Sequence, residues 1–180
     1  NFGEPFFQNF YANINTLKNS LEAQKLFGQF KGLPAIICGA GPSLDKNIAL
    51  LKSYRKKAVI FAGGSALNVL GDFGISPHFG AGIDPHKWQL SRLLFNQFFE
   101  LPFFYGNRFH HESLQCIHGT KIYTSIPSYY PIVEWMEKKL GIQGESICCG
   151  SSVSTLCLEM ARLIGCKPII LIGMDLAFTN

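Results

Sequence analysis

Apolar residues in this chain come in short unbroken runs, and between the runs they recur every three or four positions. Ala35-Ile36-Ile37-Cys38, Ala58-Val59-Ile60-Phe61-Ala62 and Pro168-Ile169-Ile170-Leu171-Ile172 are such runs, bounded by turn residues. Continuous runs of this length predict strands covered on both faces. Weaker runs predict strands at 78–83, 101–105 and 121–124, and a brief strand or loop at 146–149. The intervening segments carry helical spacing. A helix is predicted over 44–53, with Leu44, Ile48 and Leu51 on one face and Ser43 as its N-cap. Others are predicted over 66–73, from Asp84-Pro85-His86 to about 96, and over 130–140, where Gly141 ends the pattern. The clearest covers 151–164: Val153, Leu156, Cys157, Met160, Ala161 and Ile164 share a face, and Gly165 stops it. Residues 5 to about 28 read as an N-terminal helical arm, whole or broken, with Leu17 and Leu21 at helical spacing and Gly28 at its end.

Strands alternating with helices imply parallel pairing through right-handed crossovers. The predicted fold is α/β and Rossmann-like: a mainly parallel sheet with helices on both faces (residues 31–180), preceded by the helical arm (1–30). Such sheets bind ligands beyond the carboxyl ends of their strands. The residues of interest are therefore 39–43, 63–65, 84–86, 106–108, 150–152 and 173–175.

Composition narrows the function. Apolar residues make up 47% of the chain, which excludes a disordered segment. No run of eighteen apolar residues exists, so no membrane span is expected, and no signal peptide opens the chain. The net charge of +4 suits an anionic small ligand; the basic residues are too scattered for a nucleic-acid face. The six cysteines form no C-x-x-C pair and mostly sit in apolar runs, which predicts a reducing, cytoplasmic setting without disulfides or zinc. Because Asn1 is not an initiator methionine and the chain stops soon after a strong strand, a piece of a longer protein is expected.

Three segments carry candidate chemistry. Gly39-Ala40-Gly41-Pro42-Ser43 joins a strand to a helix, so the glycines let backbone approach a ligand while the helix N-terminus favours phosphate; a plain tight turn is the alternative. It is not the dinucleotide fingerprint, since Leu44 stands where a third glycine would be and Gly63-Gly64-Ser65 follows the second strand in place of an acid, so NAD is not expected. Nor is it a phosphate-binding G-x-x-x-x-G-K-[ST] loop. Gly150-Ser151-Ser152 opens the strongest helix, either as a second anion site or as ordinary capping. Asp84-Pro85-His86 places a carboxylate and an imidazole at a strand end, as metal ligand and acid/base or as a helix cap. Asp175 occupies a similar position after the last strand, open to a metal, a ribose or no ligand. His110-His111 and Cys116-x-His118 lack the matching distant pair of a zinc site. Tyr129-Tyr130-Pro131 and Trp135 read as packing.

Gly39-Ala40-Gly41-Pro42-Ser43-Leu44-Asp45, Ser65-Ala66-Leu67, Gly74-Ile75-Ser76-Pro77, Ile83-Asp84-Pro85, Gly150-Ser151-Ser152-Val153-Ser154 and the final stretch from Pro168 through Asp175 to Phe178 resemble, in order, the motility accessory factor (Maf) family. That resemblance implies a glycosyltransferase placing nonulosonic sugars from CMP-activated donors on flagellin Ser and Thr. Gly39 to Leu44 is also similar to the loop by which bacterial sialyltransferases bind CMP. Ser151-Ser152 stands where they have a Ser-Gly step, and their catalytic histidine lies beyond the last matched strand. The domain pattern is similar, too, to archaeal 6-hydroxymethylpterin pyrophosphokinases, for which ATP would be the donor and Asp84 and Asp175 the magnesium ligands. The resemblance thus implies Gly39, Gly41, Pro42, Ser43, Gly64, Ser65, Gly150, Ser151 and Ser152 around the nucleotide. Asp84, His86 and Asp175 are then the catalytic candidates. Alternatives are the magnesium-dependent pyrophosphokinase and a non-catalytic nucleotide-binding or assembly domain.

Overall fold

In the computed structural model, which describes residues 3–128, 130–142 and 146–175, the apolar runs become strands of one sheet. In chain order these are β1 (Leu21–Glu22), β2 (Ala35–Cys38), β3 (Val59–Gly63), β4 (Phe79–Gly82), β5 (Phe103–Gly106), β6 (Lys121–Thr124) and β7 (Ile169–Ile172). All seven run parallel, in the spatial order β1-β6-β5-β4-β3-β2-β7. The helices are α1 (Gly3–Lys18), α2 (Ser43–Tyr54), α3 (Ser65–Asp72), α4 (Trp88–Leu94), α5 (His111–Gln115), α6 (Pro131–Lys139) and α7 (Val153–Leu163). This is the Rossmann-like α/β fold that the alternation predicts.

The pleat sorts alternate strand residues onto two cores. Ile36, Cys38, Ile60, Ala62, Phe103 and Tyr105 face one side, under Leu44, Ile48 and Leu51 of α2, Leu67 and Leu70 of α3, Leu93 of α4 and Leu114 of α5. Ala35, Ile37, Val59, Phe61, Phe79 and Phe104 face the other, under Leu156, Cys157, Met160 and Ala161 of α7. From β2 to β6 each crossover steps the same way across the sheet, so α2 to α5 share a face. After β6 the chain returns through α6 and α7 to the far side of β2. The winding therefore reverses between β2 and β7, the switch point at which such sheets open a ligand crevice at their carboxyl edge.

That junction is built on close backbone approach. The Gly39 N–H donates to the Ile172 carbonyl at 2.8 Å, and the Gly41 N–H to the Gly173 carbonyl at 2.8 Å. A Cβ on Gly39 would lie 2.3 Å from the Gly173 oxygen, and one on Gly41 would lie 2.4 Å from Asp175 Oδ2. No side chain fits between the two loops.

Several sequence expectations change here. The arm is not helical throughout: after α1 the chain adds β1 alongside β6 and then turns through a short 3₁₀ segment, Ala23–Leu26. Of the strand or loop expected over 146–149 the structure has the loop, held by Ile147 N–H donating to the Ser125 carbonyl at 2.7 Å. The helix α5 carries no periodic signal because it is only one turn long, and the His110 ring caps it by accepting from Ser113 N–H. Although β7 has the strongest strand signal, among the described residues it lies at the sheet's edge, with Ile170 46% and Leu171 52% exposed. An unbroken apolar run does not separate an edge strand from a central one. Tyr129 and residues 176–178 of the last motif lie outside the described residues.

Gly39→Ala is expected to lower the unfolding free energy by about 1–3 kcal/mol, the range for forced overpacking. Gly28→Ala, at φ 71° in open space, should cost only about 1 kcal/mol. Urea titrations of both variants check the order; equal losses would contradict the interlock.

Candidate functional site

The junction of β2 and β7 also decides what the first helix terminus can do. Ser43 is the first residue of α2, not its cap. Its backbone N–H donates to Asp175 Oδ2 at 2.8 Å, and its Oγ accepts from the Gly173 N–H at 3.1 Å. A carboxylate 132 residues away caps this helix. Donation from the Ser43 backbone N–H, and then from its hydroxyl, holds the Asp175 carboxyl below the usual carboxylate range, with Lys46 adding a smaller pull. Gly39, Gly41, Pro42, Ser43 and Asp175 are thus brought together, with the Gly39, Gly41 and Ser43 N–H groups engaged by the β7 loop.

A second convergence lies one strand over. At the end of β3, a Cβ on Gly63 would sit 2.1 Å from Val153 Cγ1, so the first residue of α7 rests directly on this glycine. Gly64 follows with φ 54° and ψ −130°, a region open to glycine, and precedes α3 without a side-chain cap. At α7, Ser152 Oγ accepts from Thr155 N–H at 3.1 Å, so the capping reading of Ser152 holds. Ser65, Ser151 and Ser152 are exposed, and nothing crowds the side of Gly64 where a Cβ would point. Two helix N-termini, one from each face of the sheet, therefore meet beside an open surface lined by glycine and serine. Helix N-termini, with their N–H groups and positive dipole ends, are suited to phosphate.

At the end of β4, Asp84 Oδ1 accepts from His86 N–H at 3.0 Å and Oδ2 from Gln89 Nε2 at 2.7 Å. Both oxygens are engaged in shaping the turn before α4; Asp84 is not the helix cap expected as its alternative role, since Lys87 holds that position without a side-chain hydrogen bond. The His86 ring lies against Trp88, centroids 4.7 Å apart. With Gln8, Asn9, Lys87 and His111 they line a cavity of about 370 Å³. Helix α1 forms its far wall, fixed by Asn9 Nδ2 donating to the Pro85 carbonyl and Asn13 Nδ2 donating to the Phe109 carbonyl, each at 2.8 Å. His110 and His111 are engaged separately, on Ser113 and Asn9.

Asp84 and Asp175 stand after strands three places apart, about 14 Å by strand spacing. They do not fit as joint ligands of one magnesium ion. Among the described residues, no three His, Cys, Asp or Glu side chains are grouped to hold a metal. The cysteines are free, and burial pushes the Cys38 and Cys157 thiols up to about 12, which makes them unreactive packing groups. No helix among the described residues is long and apolar enough to cross a membrane.

The amides of Asn9 and Asn13, which dock the arm, carry no local sequence signal, whereas Arg108 lies in the strand-end segment 106–108, to which the sequence assigns no particular chemistry. Arg108 Nε donates to the Ile83 carbonyl at 3.2 Å, and its charge reaches Cys149 in the loop before α7.

The model of the family described as 6-hydroxymethylpterin diphosphokinase MptE-like matches residues 8–180. An uncharacterized protein of Treponema pallidum (strain Nichols) is 47% identical over 51 residues, which is 28% of this chain and 24% of that protein. The structure of a Maf glycosyltransferase from Magnetospirillum magneticum AMB-1 aligns with a TM-score of 0.70 at 20% identity, over 96% of this chain and 28% of that one. At that identity the likeness is one of fold. The chain spans about a quarter of the length of each of these two relatives.

Asp175 supplies a pH signature. Its folded pKa lies below the ordinary 3.8, so the stability its carboxylate adds is fully present above that value and is lost as pH falls through the folded one. Asp175→Asn should therefore melt lower than wild type at neutral pH, and the gap should close as pH falls below 3.8 and through the lowered folded value. Parallel melting curves at every pH would contradict the capping role.

Proposed function

The chain belongs to the 6-hydroxymethylpterin diphosphokinase MptE-like family, and on that premise we propose that it binds a nucleotide-activated donor at the carboxyl edge of its sheet and serves a group transfer. The reading favoured is glycosyl transfer from a CMP-nonulosonate to Ser or Thr of flagellin or a similar protein, in the cytoplasm. The observation that carries it is the meeting of α3 and α7 N-termini through the Gly63–Val153 contact. A donor phosphate there would face Gly64, Ser65, Gly150, Ser151 and Ser152. The solved relative of like fold, a Maf glycosyltransferase, adds support.

In such a transfer the acceptor oxygen bonds to the anomeric carbon, and the bond from that carbon to the phosphate oxygen breaks. The electron pair stays on CMP, where preorganised N–H and hydroxyl donors stabilise the charge without reorganising. The acceptor's proton needs a base at hydrogen-bond distance. His86, lining the α1 cavity beside the end of β4, is assigned that role, with His111 on the opposite wall.

The family description favours a second reading, pyrophosphoryl transfer from ATP. Magnesium would then be held by one protein carboxylate, Asp84 or Asp175, with the nucleotide's own phosphates, since magnesium commonly uses one or two carboxylates.

Calorimetric titration with CMP and with ATP, each with and without magnesium, separates the two. Metal-independent CMP binding, weakened at least tenfold in the Ser65→Ala, Ser151→Ala double variant, is the expected result. ATP binding that requires magnesium and is lost in Asp84→Asn would contradict glycosyl transfer and establish the second reading.

A further inference from the structure

Beyond the nucleotide, we propose an anion subsite centred on Arg108 that takes a carboxylate or phosphate group of the donor or of its partner substrate; this rests on the nucleotide reading for its place in the ligand. Arg108 is half-buried just past the end of β5, and its Nε–H is tied to the Ile83 carbonyl at 3.2 Å, which orients the guanidinium. Among the described residues no carboxylate lies within ion-pair distance of it. It lines a cavity of about 160 Å³ together with Pro85, Asn107, Ile126, Ser128 and Tyr130. The side chain of Asn107 is itself fixed, donating to the Ile126 carbonyl at 2.7 Å.

A guanidinium always carries its charge, and partly removed from water it is stabilised by a planar oxyanion that accepts two parallel hydrogen bonds. The protein supplies none to Arg108 from its described residues. The cavity is of a size for one carboxylate or phosphate group and too small for a nucleotide. The strand order places it two strands from the Gly63–Ser65 turn, about 10 Å. One ligand can therefore rest its phosphate against α3 and α7 and turn a second acidic group toward Arg108. A neutral sugar or a bare nucleotide leaves the subsite empty, so Arg108 selects for acidic transferred groups.

The test follows the Arg108 side-chain Nε–Hε resonance in the ¹⁵N-labelled chain, assigned by its absence in Arg108→Lys, during separate additions of N-acetylneuraminate and of inorganic phosphate. A saturable shift with the sugar acid alone identifies a carboxylate site; with phosphate alone, a phosphoryl site. A response to both supports a general oxyanion site. No shift with either up to about 50 mM, beyond the millimolar range of a weak single contact, overturns the proposal. In parallel, Arg108→Gln should weaken CMP-N-acetylneuraminate binding about tenfold or more and leave CMP binding unchanged. Equal loss for both ligands, with an unchanged melting midpoint, would remove the subsite as drawn. Should wild type bind no nucleotide while the Arg108 resonance still responds, the nucleotide reading fails and the anion subsite stands.

Discussion

The approach of the β2 loop to the β7 loop is the contact on which the rest of the structure depends. Gly39 and Gly41 lie against Gly173 and Asp175 so closely that a single Cβ on either would overlap backbone or carboxylate atoms. This approach lets the chain return across the sheet and add β7 beside β2, which creates the reversal of winding. It also fixes Asp175 on the first N–H of α2. A glycine motif that reads as a phosphate cradle therefore spends three of its backbone N–H groups on its own fold.

Under the proposed function, that division leaves the ligand to the next strand end. At the end of β3 the same device, a glycine with another chain element resting on it, brings α7 down onto the sheet. Here the result is an open surface with two helix N-termini beside it. Further along the edge, Asp84 shapes a turn, α1 closes a cavity over His86, and Arg108 stands without a carboxylate among the described residues. On the proposed reading, donor phosphate, acceptor and a second acidic group would fall on successive strand ends, β3, β4 and β5.

The sheet was legible in the sequence because unbroken apolar runs and helical spacing are local properties of Ala35–Cys38 or of Val153 to Ile164. Family membership was legible in the ordered glycine and serine motifs, and the matching family model agrees with it. What escaped depends on contacts between distant segments. Ser43 looked like a cap because serine before an apolar helix is a good one; Asp175 displaces it from the other end of the chain. Ile170 and Leu171 read as covered on both faces, and nothing in their own run shows that β7 lies at the edge of the described sheet. Two residues of β1 are too few for a period, and Asn9 and Asn13 acquire meaning only when α1 is seen against Pro85 and Phe109. Arg108 stood in a strand-end segment of interest, but its role takes shape only from its small cavity and from the absence of a nearby carboxylate among the described residues.

The claim that the α3 and α7 N-termini hold the donor phosphate is tested most directly by backbone amide shifts of the ¹⁵N-labelled chain during addition of CMP. The account predicts saturable shifts concentrated at Gly64, Ser65, Gly150, Ser151 and Ser152, with Gly39 and Gly41 moving little because their N–H groups are already bonded to β7. Shifts centred on residues 39–43, or in the cavity under α1, with none at Gly64 or Ser151, would contradict it.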